Sequence, residues 1–311
     1  MQIARERILV TGAHGFIGRY VCRSLSAQGA LVAGMGHGNW PMHDAEKNGL
    51  TYWLQGAVDF ANLDVLAAGF GSPTGVVHLA GGATVAASLR SPMEDFDRTC
   101  ATTVHLLDWV RQRSPQTKVL MVSSAAVYGL GHEGPIGEDA RLDPGSPYGC
   151  HKLVMELLCR SYARSFGVSI VLLRLFSVYG EGLQKQLLWD LCSKLSRNRC
   201  AQLGGSGREV RDWLHASDAA ALIARALPLA AADCPVINGG SGCGTTVAAL
   251  ARSLAERWGD GASVEFSGEK RPGDPDALIA DTRRGAAIGF VPRVSLSDGL
   301  QRYVDWFRNN G

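Results

Sequence analysis

The amino-acid sequence predicts an α/β protein built on a parallel, doubly wound sheet. A glycine-rich turn joins the first apolar strand directly to an amphipathic helix. Further apolar strands alternate with stretches of helical periodicity, at lengths that suit right-handed crossover connections. The 311 residues are 46% hydrophobic and 19% charged, which is typical of a globular protein with one large or two moderate domains.

The glycine-rich turn covers positions 11–18 and follows an apolar strand at 8–10. Gly12, Gly15 and Gly18 open a helix whose apolar residues recur at helical intervals. Glycines at this spacing let backbone N–H groups approach a pyrophosphate at the positive end of a helix. The turn therefore predicts a dinucleotide-binding fold of the Rossmann type.

The rest of the first half continues the alternation. Strands are predicted at 30–34, 75–80, 118–123 and 168–173, and helices near 93–113 and 147–166. Ser124 directly follows the strand at 118–123, which places it at the carboxyl edge of the sheet, where ligands bind in such folds. The strand at 75–80 reaches the same edge, and the small residues there suit a backbone that lies against a flat ligand.

A helix is predicted to begin at Ser146, because serine caps helices and Pro147 suits the first turn, where its missing N–H breaks no bond. Tyr148 and Lys152 then lie four residues apart on one face of this helix. An ammonium group and a hydroxyl from Ser124 lower the pKa of a nearby phenol from about 10. These three side chains predict an acid/base centre that exchanges a proton with a sugar hydroxyl near neutral pH.

Charge and composition argue against several classes of protein. The net charge is +2 and the basic residues are scattered, so no nucleic-acid or membrane partner is expected. The aliphatic runs are too short to span a bilayer, and no signal peptide is expected ahead of the first strand. The eight cysteines show no disulfide or metal spacing, which favours reduced thiols, a cytoplasmic location and no metal site.

Seven motifs, in order along nearly the whole chain, resemble those of the extended short-chain dehydrogenase/reductases. They are TGAHGFIG (11–18), VVHLAGGA (76–83), VSSAAVYG (122–129), SPYGCHK (146–152), LLRLFSVYG (172–180), REVRDWLHASDAA (208–220) and KRPGDPDALIADTRRGAAIGFVP (270–292). Within that group the chain is similar to the NAD-dependent epimerase/dehydratase family, which acts on nucleotide sugars and whose best-known member is UDP-galactose 4-epimerase.

The resemblance implies roles for the residues that match the motifs. The implied catalytic residues are Ser124, Tyr148 and Lys152. The implied cofactor contacts are Gly12, His14, Gly15, Phe16, Ile17, His37, Val58, Leu79, Ala80, Gly81, Val122, Tyr148, Lys152 and Leu175. The implied contacts to a nucleotide-diphosphate sugar are Thr84, Ser124, Ala125, Tyr148, Ser177, Arg211, Arg271 and Asp274. The two arginines would clamp the diphosphate, because a guanidinium bonds phosphate oxygens in pairs.

One departure from the family pattern bears on the reaction. Ala125 and Ala126 stand where the 4,6-dehydratases of the family carry an Asp-Glu pair, and methyl groups cannot move the protons that expel water. The resemblance therefore implies a nucleotide-sugar epimerase that works through a transient 4-keto sugar. An NAD(P)H-dependent 4-keto-6-deoxy-sugar reductase is the alternative, and a non-catalytic nucleotide-binding regulator is a more distant one.

A second departure concerns the cofactor. Relatives end the second strand with a carboxylate that binds the adenosine ribose, whereas this strand ends in GMGHGN at 34–39, without an acid. The missing negative charge admits a 2′-phosphate, with His37 or Asn39 as contacts. The cofactor is therefore NAD or NADP, and the sequence leaves both open.

The resemblance also implies the arrangement of domains and copies. Residues 1–175 would form the dinucleotide-binding domain, with a return segment at about 210–239, and residues 176–311 the smaller α/β nucleotide-sugar domain. A homodimer is expected through the helices at 93–113 and 147–166. Its apolar stripe would consist of Val154, Leu157, Leu158 and Tyr162.

Two further sets of residues are interpreted as structural. His151 and His215 lie within or beside motifs, but apolar or cysteine neighbours favour a packing role for both. Trp189, Trp213 and Trp306 are interpreted as core or interface residues rather than as a platform for nucleic-acid bases.

Overall fold

A computed structural model describes residues 6–269 and 275–311. Its strands are β1 (Arg7–Thr11), β2 (Leu31–Gly36), β3 (Tyr52–Gln55), β4 (Gly75–His78), β5 (Lys118–Ser124), β6 (Pro135–Ile136), β7 (Ile170–Leu175), β8 (Ser177–Tyr179), β9 (Cys200–Leu203), β10 (Val210–His215), β11 (Val236–Gly239), β12 (Gly244–Thr246), β13 (Ser263–Phe266) and β14 (Ala277–Ala280). Its α-helices are α1 (Phe16–Ala27), α2 (Met42–Lys47), α3 (Phe60–Phe70), α4 (Val85–Arg90), α5 (Pro92–Phe96), α6 (Thr102–Arg113), α7 (Pro147–Phe166), α8 (Gln186–Leu195), α9 (Ala216–Ala226), α10 (Val247–Trp258), α11 (Arg283–Ala287) and α12 (Leu296–Asn310). A π-helical turn, Asp97–Ala101, joins α5 to α6, and short 3-10 turns cover Ala125–Val127 and Leu227–Leu229.

The main sheet has seven strands in the order β3-β2-β1-β4-β5-β7-β11. Every neighbouring pair in it runs parallel. The chain starts in the middle with β1, moves to one edge through β3, and then returns to build the other half. This is the doubly wound α/β fold that the sequence predicts.

The predicted strand ends differ from the observed ones by about two residues. β2 continues past the predicted 30–34 because Met35 pairs with Thr11 and Gly36 with Gln55. β7 begins at Ile170, which pairs with Val119, rather than at the predicted position 168. An apolar run marks where a strand lies, but pairing with its neighbours sets where it ends.

Helices cover both faces of the main sheet. On one face α1 and α9 pack with buried side chains such as Val21, Leu25 and Ile223. On the other face α3, α6 and α7 pack through residues such as Leu107 and Met155. The sheet is therefore buried on both sides, as its nearly continuous apolar strands require.

Later parts of the chain return to the main sheet. β11 pairs with β7 at the sheet edge, and α9 packs on α1. The remaining strands form a smaller sheet of β12, β10, β14 and β6, with β8 also paired to β10, and a separate pair of β9 and β13.

A third core joins α8, α10 and α12. Trp189, Trp213 and Trp306 pack against this core, as predicted. Among the helices of the described residues, none combines the length and hydropathy needed to cross a bilayer.

Candidate active site

The long helix α7 places Tyr148 and Lys152 at the carboxyl edge of the main sheet. Ser146 caps the helix by accepting a hydrogen bond from the backbone N–H of Gly149 at 3.2 Å, and Pro147 is its first residue. Gly167 ends it with a left-handed backbone, at a φ of 69°. The helix begins where Ser146 and Pro147 predict it, and it covers the predicted range 147–166.

Ser124, Tyr148 and Lys152 come together at the end of β5. The Ser124 hydroxyl lies near enough to the phenol of Tyr148 to act on its pKa. The Nζ atom of Lys152 lies 6.0 Å from the centre of the Tyr148 ring and donates to the carbonyl of Val122 at 2.9 Å. The structure thus brings the three predicted side chains into one site. This arrangement can exchange a proton with a hydroxyl placed against the phenol.

The predicted lowering of the Tyr148 pKa is wrong. Burial raises the pKa of Tyr148, the nearby Ser124 hydroxyl lowers it, and the Asp95 carboxylate raises it further. Burial also lowers the pKa of Lys152 to about 8, with Asp95 opposing that effect. Desolvation is therefore the largest influence on the Tyr148 pKa, and Nζ of Lys152 is bound to a backbone carbonyl.

A buried ion pair holds α7 against the sheet. Glu156, one turn beyond Lys152, accepts two hydrogen bonds from Arg174 of β7, at 2.9 and 2.8 Å. The Ser123 hydroxyl donates to the same carboxylate at 2.7 Å. Glu156 and Arg174 are both fully buried. The helix face that carries the predicted acid/base residues is thereby fixed on β5 and β7.

The glycine-rich turn fits a dinucleotide pyrophosphate. Gly12 has a φ of +69°, and a Cβ there would lie 3.0 Å from the backbone nitrogen of Ala80. A Cβ on Gly18 would lie 2.3 Å from the carbonyl oxygen of Gly12, so the glycine allows α1 to pack closely on the turn. No side chain caps α1 at Gly15. Its first N–H groups therefore face the space beyond the helix end, where phosphate oxygens bind.

The other predicted cofactor contacts border this turn or the sheet edge. The His14 ring packs 4.7 Å from the ring of Trp40, and burial lowers the pKa of His14. His37 is exposed just beyond Gly36, where β2 ends without a carboxylate. The remaining contacts lie in α1, beside α3, after β4 or within β5 and β7: Phe16, Ile17, Val58, Leu79, Ala80, Gly81, Val122 and Leu175.

The predicted nucleotide-sugar contacts are only partly within the described residues. Thr84 caps α4 by accepting from the backbone N–H of Ala87 at 3.1 Å, and Ala125 directly follows Ser124. Ser177 lies on β8, opposite Trp213 of β10. Arg271 and Asp274 lie outside the described residues.

Arg211 has backbone contacts that the sequence did not predict. Its guanidinium donates to the carbonyls of Val210 and Pro275, at 2.9 and 2.8 Å. Pro275 is the first described residue after the segment that holds Arg271 and Asp274.

The sequence did not single out Asp95, whose carboxylate acts on both Tyr148 and Lys152. It lies on α5, and its partner His151 lies 56 positions later in the sequence. An acid in a helix that also carries exposed charges gives no sign of burial, so no local pattern could have identified it.

Two other expectations concern metal binding and the cysteine thiols. Among the described residues no group of three or more His, Cys, Asp or Glu side chains could hold a metal ion. The eight cysteines are unpaired in the structure.

Comparison with known proteins relates this geometry to nucleotide-sugar enzymes. The family model named NAD dependent epimerase/dehydratase family matches residues 8–238. A UDP-glucose 4-epimerase from Azospirillum brasilense is 30% identical over 328 residues, which cover 98% of this chain and 93% of the relative.

Two solved structures are similar over nearly the whole chain. A UDP-glucose 4-epimerase from Thermotoga maritima, solved with UDP-glucose, has a TM-score of 0.86 at 27% identity and covers 97% of this chain and 99% of its own. A UDP-glucuronic acid 4-epimerase from Bacillus cereus, solved with UDP-glucuronic acid and NAD, has the same TM-score, identity and coverage. The likeness therefore includes both the main sheet and the smaller sheet.

Proposed function

Because this chain belongs to the NAD dependent epimerase/dehydratase family, we propose that it interconverts the C4 epimers of a nucleotide-diphosphate sugar. The observation that carries the proposal is the meeting of Ser124, Tyr148 and Lys152 at the end of β5. Ala125 and Ala126 follow Ser124 directly, so this turn offers no second acid or base for expelling water.

Each of the three side chains has a separate task. Tyr148 accepts the proton of the C4 hydroxyl as the sugar is oxidised, and returns it when the sugar is reduced on its other face. Ser124 bonds the sugar oxygen and holds the phenol in position. Lys152 supplies a positive charge beside the phenol and bonds the cofactor ribose. The nicotinamide, when bound, is a reversible hydride acceptor.

We propose that the cofactor is held by the glycine-rich turn and the ends of β1, β4 and β5. The fit of this turn to a pyrophosphate supports a dinucleotide, and the family is NAD-dependent. The B. cereus relative was solved with NAD. The end of β2 at Gly36 also admits the 2′-phosphate of NADP. The choice between NAD and NADP is read from the mass of the dinucleotide that co-purifies with the protein.

The substrate side of the proposal rests on the smaller sheet. Residues 176–311 would bind the nucleotide sugar, apart from α9 and β11, which return to the main sheet, and residues 1–175 would bind the cofactor. β10 with Arg211, predicted as part of the return segment at about 210–239, pairs in the smaller sheet instead. Arg211 donates to the carbonyl of Pro275, which directly follows Asp274 in the sequence. Relatives act on UDP-glucose and UDP-glucuronate. We therefore infer that the sugar is a UDP-linked hexose or hexuronate bound through its diphosphate.

The test is epimerisation without added cofactor. The purified chain is incubated with UDP-glucose, UDP-galactose and their uronates, and the sugars are resolved by chromatography. The expected result is a mixture of both C4 epimers from either starting sugar, because oxidation and reduction cancel in each cycle. If a dinucleotide is bound but no common UDP- or TDP-sugar is converted, the proposal is wrong.

The alternative of a 4-keto-6-deoxy-sugar reductase has one supporting observation, the absence of a carboxylate at the end of β2. Such an enzyme consumes one NADPH for each sugar reduced. Oxidation of NADPH in step with loss of a 4-keto-6-deoxy-sugar nucleotide, with no epimerisation of UDP-hexoses, would replace the leading proposal.

We also propose that two copies of the chain pair through the layer formed by α5, α6 and α7. Met93 and Leu157 are 71% and 55% exposed, and Val154 is exposed beside Leu157. Apolar residues clustered on neighbouring helices indicate a surface that another protein covers. Tyr162, predicted as part of this stripe, packs instead against the core of the main sheet.

A further inference from the structure

Asp95 is a buried carboxylate with an incomplete set of partners. The residue is 4% exposed. Its Oδ2 atom lies 2.6 Å from Nδ1 of His151, and since a carboxylate only accepts, the imidazole donates. Its Oδ1 atom is buried with no hydrogen-bond partner among the described residues. A buried charge costs several kcal/mol unless another charge compensates it. The buried carboxylate therefore requires a positive charge close by.

The unpartnered oxygen occupies the space that a side chain at position 82 would need. A Cβ added to Gly82 would lie 1.8 Å from Oδ1, and a Cβ added to Gly81 would lie 3.3 Å from Nζ of Lys152. Two successive glycines thus separate the carboxylate from the ammonium. The π-helical turn fixes this backbone, because Thr99 accepts a hydrogen bond from the Gly82 N–H at 2.9 Å.

Lys152 is the complementary group. It is 5% exposed, and within the described chain no carboxylate oxygen lies within ion-pair distance of its Nζ. Its bond to Val122 satisfies one donor but adds no negative charge. Among the charges that stabilise the ammonium against burial, Asp95 has the largest effect.

Other titratable groups also face Lys152. Cys100 of the π-helical turn and Glu156 and Cys159 of α7 favour its ammonium, but less than Asp95 does. Glu156 is already bonded to Arg174, and the two thiols are buried. His78 of β4 stays neutral, since burial lowers its pKa to about 3.

We propose that Asp95 is the counter-ion of the Lys152 ammonium across the Gly81-Gly82 backbone, and that His151 holds its carboxylate in place. Asp95 is thus a positioning residue for the acid/base centre, acting through Lys152 and Tyr148. The proposal rests on the proposed function of these two residues. It gives His151, interpreted from sequence as structural, a specific task.

The test removes the charge and keeps the shape. In Asp95→Asn, the ionisation midpoint of Tyr148 is measured from its phenolate absorbance, with the Tyr148→Phe variant of each background subtracted. The expected result is a midpoint lower by about one pH unit, because a nearby negative charge disfavours the phenolate. This titration needs no sugar, so it stands even if epimerisation is not observed.

A second readout follows Lys152. Loss of its counter-ion lowers the pH at which the ammonium is lost, so the alkaline limb of the turnover profile moves down by about one pH unit as well. A purely structural role would lower the rate at every pH and leave both midpoints unchanged. Unchanged midpoints in a folded Asp95→Asn variant would overturn the proposal.

Matched variants complete the experiment. Asp97→Asn removes an exposed carboxylate two residues further on and should leave both midpoints unchanged. If Asp95→Asn does not fold, His151→Ala and His151→Gln replace it. The alanine variant should shift the midpoints partway, and glutamine should restore them because its amide can still donate to Asp95. Equal midpoints in both His151 variants and the wild type would overturn the proposal.

Discussion

At the scale of single residues, the chemistry depends on how burial competes with nearby charge. The nearby Ser124 hydroxyl lowers the pKa of Tyr148, yet that pKa is raised on balance because burial disfavours the phenolate. Burial lowers the pKa of Lys152 to about 8, which is close to neutral pH. In the proposed function, the sugar hydroxyl and the cofactor ribose would supply hydrogen bonds to this pair and so complete the acid/base centre.

The first prediction concerns Tyr148→Phe, which removes the hydroxyl and keeps the ring. Because a positioned acid/base group contributes about 10²- to 10⁴-fold, kcat should fall by that factor while KM changes little. Steady-state epimerisation kinetics measure both. Tyr162→Phe on the same helix is the control and should keep wild-type kcat. An active Tyr148→Phe enzyme would mean that another group moves the proton.

At the scale of elements, α7 works because it is fixed to the sheet. Tyr148, Lys152 and Glu156 follow at intervals of four residues, so they share one face of the helix. Glu156 meets Arg174 and Ser123 in the interior, while the first two residues reach the site. One helix face thus carries both the anchor and the proposed catalytic pair.

The second prediction is that Glu156→Ala lowers the free energy of unfolding by about 3–5 kcal/mol, because it leaves the buried Arg174 without its carboxylate. Urea denaturation measures the change. Arg164→Ala, on the exposed side of the same helix, should change it by less than about 0.5 kcal/mol. Equal effects of the two substitutions would show that the ion pair does not anchor the helix.

At the scale of the whole molecule, the helical layer of α5, α6 and α7 has a buried side and an exposed side. Its inner side packs on the main sheet and supports the site. Its outer side exposes Met93, Val104 and Leu157. A partner copy covering this side would also restrict movement of the helices that carry Asp95 and Tyr148.

The third prediction tests that partner. Leu157→Glu places a charge on the exposed apolar face, so sedimentation should change from a dimer to a monomer at micromolar concentration, with the fold retained by circular dichroism. Val291→Glu, at a 71% exposed position away from this face, should leave the wild-type state unchanged. A wild-type chain that sediments as a monomer would refute the homodimer.

Much of this protein could be predicted from local sequence. The glycine turn, the alternating strands and the capped helix from Pro147 to Phe166 predicted the fold class and the family, and the comparisons confirm both. The relatives also favour an epimerase over the reductase and the regulator. The roles of the single site residues stay predictions, as do the domain division and the homodimer.

The tertiary structure alone decided how the site is charged and held. Spacing along the helix brought Tyr148 and Lys152 together, because that contact is local. The Glu156–Arg174 pair and the Asp95–His151 contact join residues that are 18 and 56 positions apart. The burial that raises the Tyr148 pKa depends on several elements at once. Desolvation and the balance of buried charges are properties of the packed chain, so no local pattern of residues contains them.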